Sequence, residues 1–75
     1  MAGPFDKKMA KSLKRIRLEA GLSQRELGAK LKQPQAYIYT CENSKRRVAV
    51  NEFVQWVKAC GEIPQKAFAA YMKSR

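Results

Sequence analysis

The sequence predicts an all-α fold, a compact bundle of five short helices, on three observations. Apolar residues recur three and four positions apart in several separate segments, the period of an amphipathic helix. Gly21, Pro34, Gly61 and Pro64 divide those segments, and these residue types end or open helices. Within Leu22-Ser23-Gln24-Arg25-Glu26-Leu27, a Ser faces a Glu three residues on and leucines flank the pair, so a capping box and a hydrophobic staple coincide. A chain of 75 residues is about half of the ~150 expected per domain, which predicts one domain spanning 1–75. Such a domain buries only about 60% of its unfolded surface, leaving a modest core, no deep substrate cleft and a tendency to lean on a second subunit.

Helix one is expected between Phe5 and Ala20, where Met9, Leu13, Ile16 and Ala20 trace one stripe and Lys7, Lys8, Lys11, Lys14 and Arg15 lie off it. Asp6 is the expected N-cap and Gly21 the C′ residue. Helix two starts at the Ser23 cap and runs to about Leu31, with Leu27 and Leu31 inward. Gly28 stands where Ala would make the better helix, which suggests close approach of another helix. Pro34, favoured at a first helical position, opens helix three, which ends at about Asn43. In it Ile38 and Cys41 share a face, flanked by Tyr37, Tyr39 and Thr40. Asn43 to Arg47 reads as a polar, cationic surface loop. Helix four covers Val50 to Cys60, with Val50, Phe53, Val54, Val57 and Cys60 inward, Trp56 near the edge of that stripe but read as core, and Gly61 as terminator. Helix five runs from Pro64 to about residue 74, and its Phe68, Tyr71 and Met72 form either a lid on the core or a dimer seam.

Lys plus Arg number 16 against 6 Asp plus Glu, a net charge of +10 with no His. That balance points to a polyanionic partner, nucleic acid before membrane. An apolar fraction of 45% excludes a disordered basic tail. No apolar run approaches the roughly 18 residues that span a bilayer, and Met1-Ala2-Gly3-Pro4 lacks the apolar stretch of a signal peptide. A cytoplasmic location is expected. Cys41 and Cys60 form no Cys-x-x-Cys, so buried thiols in a reducing compartment are expected, with a redox switch as the alternative, rather than a zinc site or a disulfide framework. Without His, paired carboxylates or a phosphate-cradling Gly loop, the chain is read as a non-enzyme that needs no cofactor. A membrane-surface peptide fails on pattern, because short capped helices can cover one another's apolar stripes.

Helices two and three are separated by only about three residues, the spacing of a helix-turn-helix core over residues 23–43 whose second helix enters the DNA major groove. Taken together, Arg17, Leu22 to Leu27, Leu31, Gln35, Ile38, Glu42-Asn43, the basic loop and the Val50 to Gly61 helix are specific. They resemble the phage-repressor-like helix-turn-helix family, of the lambda repressor or xenobiotic-response-element type. The resemblance covers Lys11 to Gly61. It implies a bundle of four or five helices, encoded by a prokaryote, phage or mobile element, that regulates transcription by binding double-stranded DNA. A repressor acting as a homodimer on a pseudo-palindromic operator is the leading expectation. The second is an antitoxin, which holds a toxin partner and represses its own operon.

The resemblance also implies roles for single residues. Gln24, at the first position of helix two, and Gln35, eleven residues later, match a pair of glutamines that cooperate at the operator. Gln can pair bidentately with adenine, so Gln35 is the first choice for base readout, with Ala36, Tyr39 and Thr40 at the other base-facing positions. Gln24 then bridges Gln35 to a phosphate, a Tyr37 or Tyr39 hydroxyl either reaches another or packs on the bundle surface, and Arg25, Asn43, Lys45, Arg46 and Arg47 serve as further phosphate or positioning groups, with a solvated face as the alternative for the last three. The lysines of helix one either steer the protein to DNA over long range or keep it soluble. Arg17 and Glu42 match a scaffold pair joining helix one to the end of the recognition helix. Three positions depart from the family pattern. Lys32 occupies the usual Gly of the turn, so the backbone there either avoids positive φ or accepts strain. Glu42-Asn43-Ser44 stands where Glu-Asn-Gly is usual, and Val48-Ala49 where Pro-Ser opens helix four, which removes a capping hydroxyl.

Overall fold

In the computed structural model, which describes residues 7–73, the five amphipathic segments become α1 (Lys7–Glu19), α2 (Gln24–Leu31), α3 (Gln35–Glu42), α4 (Val50–Ala59) and α5 (Pro64–Lys73). No strand occurs among the described residues, and none of their helices is long and apolar enough to cross a membrane. The radius of gyration, 11.3 Å, matches the roughly 11 Å of a tightly packed chain of this length. Phe5 and the Asp6 cap lie outside the described residues, as does the last position expected in helix five.

The core is built from one or more residues of every helix: Leu13 and Ile16 of α1, Leu27 of α2, Ile38 and Cys41 of α3, Phe53, Trp56 and Val57 of α4, and Ala67 of α5. Trp56 lies at its centre rather than at the margin of the α4 stripe, fully buried, with Nε1–H donating to the Leu13 carbonyl at 3.1 Å. That bond gives the indole its partner in an apolar surrounding, where an unmade one would cost about 1–3 kcal/mol. Val50 is instead 78% exposed, because it is the first residue of α4 and precedes the turn that meets the core. Ala20 falls past the end of α1 and is exposed, and Met9 and Leu31 pack only partly against the core.

Ser23 caps α2 as its spacing predicts: Glu26 N–H donates to Ser23 Oγ at 3.0 Å and Ser23 N–H to Glu26 Oε1 at 2.8 Å. The Ser23 N–H and hydroxyl together hold the Glu26 carboxyl below its ordinary value. At α4 the capping hydroxyl is absent, since Ala49 is the N-cap, and only the reciprocal half survives, Ala49 N–H donating to Glu52 Oε1 at 2.8 Å. Pro34, expected as the first helical residue, is instead the N-cap of α3, which begins one place later at Gln35, and Asn43 is its C-cap.

Four helices end in the same wrapped turn, in which a residue at or just past the C-cap is left-handed and the next N–H reaches back five residues. Gly21 and Gly61 fill that place after α1 and α4, followed by Leu22 N–H to Arg17 O and Glu62 N–H to Val57 O. After α2 and α3 it falls on Lys32 (φ 57°) and Ser44 (φ 58°), followed by Gln33 N–H to Gly28 O at 2.8 Å and Lys45 N–H to Thr40 O at 2.9 Å. Both departures from the family pattern therefore accept the left-handed backbone, at roughly 1–2 kcal/mol each for a side chain with a Cβ. The tight α2–α3 turn also explains Gly28. A Cβ there would lie 2.7 Å from the Gln33 carbonyl oxygen, so the close neighbour is the turn itself and not the body of another helix.

These two turn positions give opposite predictions. Gly28→Ala would gain about 1 kcal/mol of helix propensity, but the clash is with backbone, so a net loss of about 1–3 kcal/mol is expected. Lys32→Gly relieves the left-handed strain and should gain about 0.5–1 kcal/mol after the added chain entropy of Gly is subtracted. Urea denaturation of the two variants checks both signs.

Candidate nucleic-acid interface

The α2–α3 pair packs at its inner edge on an ion pair. Arg17, in the last turn of α1, donates from Nε to Glu42 Oε2 at 2.6 Å and from Nη2 to Glu42 Oε1 at 3.0 Å. Its Nη1 donates to the Leu22 carbonyl at 2.8 Å. The two side chains are only 8% and 1% exposed. The planar guanidinium suits this fork, and its third nitrogen finds an acceptor on the α1–α2 turn. The geometry ties α1, the following turn and the last residue of α3 into one rigid corner.

The same carboxylate reaches outward. Gln24, the first residue of α2, donates from Nε2 to Glu42 Oε1 at 3.2 Å, and its Oε1 accepts from Gln35 Nε2 at 3.3 Å. Gln24 is thereby oriented by a buried charge, and it orients Gln35, the first residue of α3, which is exposed. Ala36 and Tyr39 are exposed beside it, Tyr39 by 50%. Thr40 is half-buried and donates its hydroxyl to the Tyr37 carbonyl at 2.8 Å. Arg25 lies exposed on the first turn of α2.

At the far end of α3 a second cluster forms, and it differs from the expectation for Tyr37. Its hydroxyl donates to Glu52 Oε2 at 2.9 Å instead of pointing outward, and its ring lies 5.0 Å beneath the Arg46 guanidinium. Arg46 Nη1 donates to the same Glu52 oxygen at 2.6 Å. Burial, and then the bond to Glu52, push the Tyr37 phenol up. Burial raises the Cys41 thiol as well, against the lowering influence of Arg46 beside it. Burial alone would raise the Glu52 carboxyl too. The Ala49 N–H, the Arg46 guanidinium and the Tyr37 hydroxyl together outweigh it and hold that carboxyl below its ordinary value of 4.5.

Asn43 is exposed and donates from Nδ2 to the Tyr39 carbonyl at 2.8 Å, closing the end of α3, while Lys45 and Arg47 are exposed on the loop. The structure thus gathers Gln24, Arg25, Gln35, Ala36, Tyr39 and the 43–47 loop around α3 and draws Tyr37 and part of Arg46 inward. Phe68, Tyr71 and Met72 belong to α5, apart from that cluster. Phe68 packs edge-on against Phe53 with ring centroids 6.2 Å apart, yet it and Met72 remain about half exposed. Sequence reasoning missed Glu52. Its signal was present, a Glu three residues after the N-cap position Ala49, the second half of a capping box whose first half is absent.

Removing either partner of the Arg17–Glu42 pair leaves a buried charge alone, so Arg17→Ala and Glu42→Ala should each cost about 3–5 kcal/mol. The double variant carrying Arg17→Met together with Glu42→Leu should lose far less than the sum, as chemical denaturation of the set will show. Glu52 gives a pH dependence. Its carboxyl binds protons less readily folded than unfolded, so its contribution is full above the unfolded value near 4.5 and is lost as pH falls through the lower folded value. The melting-temperature gap between the parent and Glu52→Gln should accordingly be full above the unfolded value of 4.5 and narrow progressively as the pH is lowered beneath it.

With this geometry in place, comparison with other proteins is direct. Residues 9–68 match the family described as helix-turn-helix domain. A solved XRE-family like protein from Pseudomonas syringae pv. tomato str. DC3000 is 29% identical, covering 91% of this chain and 83% of that one, with a TM-score of 0.83. The wild-type restriction-modification controller protein C.Esp1396I is 25% identical over 89% of this chain and 88% of that one, with a TM-score of 0.81. The tetramer of that controller in complex with its natural 35 base-pair operator gives 25% identity, the same coverage and a TM-score of 0.80. None of the curated protein sequences matches. The match over residues 9–68 shows that the chain belongs to the helix-turn-helix domain family.

Proposed function

We propose that this protein is a sequence-specific repressor of transcription that binds a pseudo-palindromic operator as a homodimer. The observation that carries the reading is the line of contacts from the buried Glu42 through Gln24 to Gln35. A reading side chain at the start of α3 is fixed before DNA arrives. Gln35 gives one N–H to Gln24 and keeps its other N–H and its Oε1, the donor and acceptor that adenine N7 and N6 require in the major groove. Ala36 and the Thr40 methyl offer apolar contact to thymine methyls, and the Tyr39 hydroxyl reaches a phosphate. Arg25, Asn43, Lys45 and Arg47 surround these groups, and the excess of 16 basic over 6 acidic residues supplies the general attraction.

The half-exposed Phe68 and Met72 on α5, with Tyr71 beside them, are the proposed dimer seam. Two copies joined there would set their recognition helices about 34 Å apart, one turn of DNA. The similar controller protein that binds its operator as a tetramer supports an oligomer on DNA as the working form. Occupying the operator then excludes polymerase.

Selection of bound words from a random duplex pool, followed by footprinting, tests the reading: a two-fold symmetric word is expected, and a pool with no enriched word overturns it. On the selected operator Gln35→Ala should lose about 1–3 kcal/mol and relax one base position, whereas Lys45→Ala should weaken all sequences alike and reduce the salt slope by about one. Equilibrium titration against operator and scrambled duplex distinguishes the two effects.

A further inference from the structure

The cluster of Tyr37, Arg46 and Glu52 has no part in the base readout described above, yet it stands at the end of α3, where the basic loop begins. We propose that Glu52 is a positioning residue that holds Arg46 in place to receive a DNA phosphate. The proposal rests on the duplex-binding reading just given.

Four observations support it. Glu52 is itself fixed, in the first turn of α4, with Oε1 taken by the Ala49 N–H at 2.8 Å. Its Oε2 accepts from both Arg46 Nη1 and the Tyr37 hydroxyl, so the arginine is tied at once to α4 and to α3. The Tyr37 ring beneath the guanidinium sets its plane. Finally, the acid engages Arg46 through Nη1, a guanidinium has five N–H donors, and the Arg46 side chain stays 40% exposed. Donors on Nε and Nη2 therefore remain for a second anion. Lys45 and Arg47 flank Arg46, so the segment stays cationic despite the carboxylate, and a phosphate is drawn to an arginine whose rotamer is already chosen.

The test uses the full chain and its selected operator duplex, with equilibrium binding measured over a salt series. Arg46→Ala should weaken binding about tenfold and lower the salt slope by about one. Glu52→Ala should reproduce both changes, and in the Arg46→Ala background it should add nothing. Glu52→Gln keeps an oxygen acceptor and should recover most of the affinity. Tyr37→Phe, which leaves the Ala49–Glu52 bond intact, should give a smaller loss that also disappears when Arg46 is absent, so the proposal stays testable if Glu52→Ala fails to fold. Tighter binding by Glu52→Ala would identify the carboxylate as a competitor of phosphate and overturn the proposal. So would losses that add to those of Arg46→Ala, or an Arg46→Ala variant that binds like the parent. Absence of any duplex binding by the parent chain would instead defeat the proposed function itself.

Discussion

The structure depends on one carboxylate. Glu42 ends α3 in the interior, accepts two bonds from Arg17 and one from Gln24, and so decides how α3 sits on α1 and α2. An ion pair so deeply buried is weak evidence of net stabilisation, because removing two charges from water offsets most of their attraction. Its value lies in geometry. Apolar side chains of equal volume could fill the space, but they would not specify one orientation of α3 or present an oriented acceptor to Gln24. Arg17 also closes on the Leu22 carbonyl, so the α1–α2 turn is drawn into the same corner.

The chain has only 6 acidic residues, and two of them hold α3 in place. Glu42 does so from within, at the side shared with α1 and α2, and Glu52 from α4, through the Tyr37 hydroxyl. The core contacts of α3 are apolar, chiefly through Ile38 and Cys41, and these fix depth better than they fix rotation. A short cationic domain therefore uses scarce negative charge where it constrains most, on the two sides of α3.

Much of this was legible in the sequence. The apolar period placed every helix, and the Ser23–Glu26 spacing located the start of α2. The contact of Arg17 with Glu42 was readable through family resemblance, since no local pattern joins residues 25 positions apart. Failures came where tertiary position overrides period. Val50 fits the α4 stripe but sits on a first turn that projects past the core, whereas Trp56, at the edge of that stripe, is core as expected, its indole bonding across to α1. Gly28 signalled a close neighbour without saying which, because turn and helix body impose the same demand for a missing Cβ. Glu52 escaped notice because a capping box without its hydroxyl loses half of its pattern, and its role toward Tyr37 and Arg46 needs the fold to bring α3 and α4 together.

The left-handed turns at Lys32 and Ser44 bound α3 on both sides. A helix of eight residues is too short to persist in water by itself, and joints that favour other backbone shapes lend it no order. Its helicity is borrowed from its neighbours, through the buried Ile38, Cys41 and Glu42, so it stays wound only while the bundle is closed around it. Under the proposed function, local order and duplex occupancy reinforce each other: whatever grips the helix from outside also keeps it wound, and whatever winds it readies the grip.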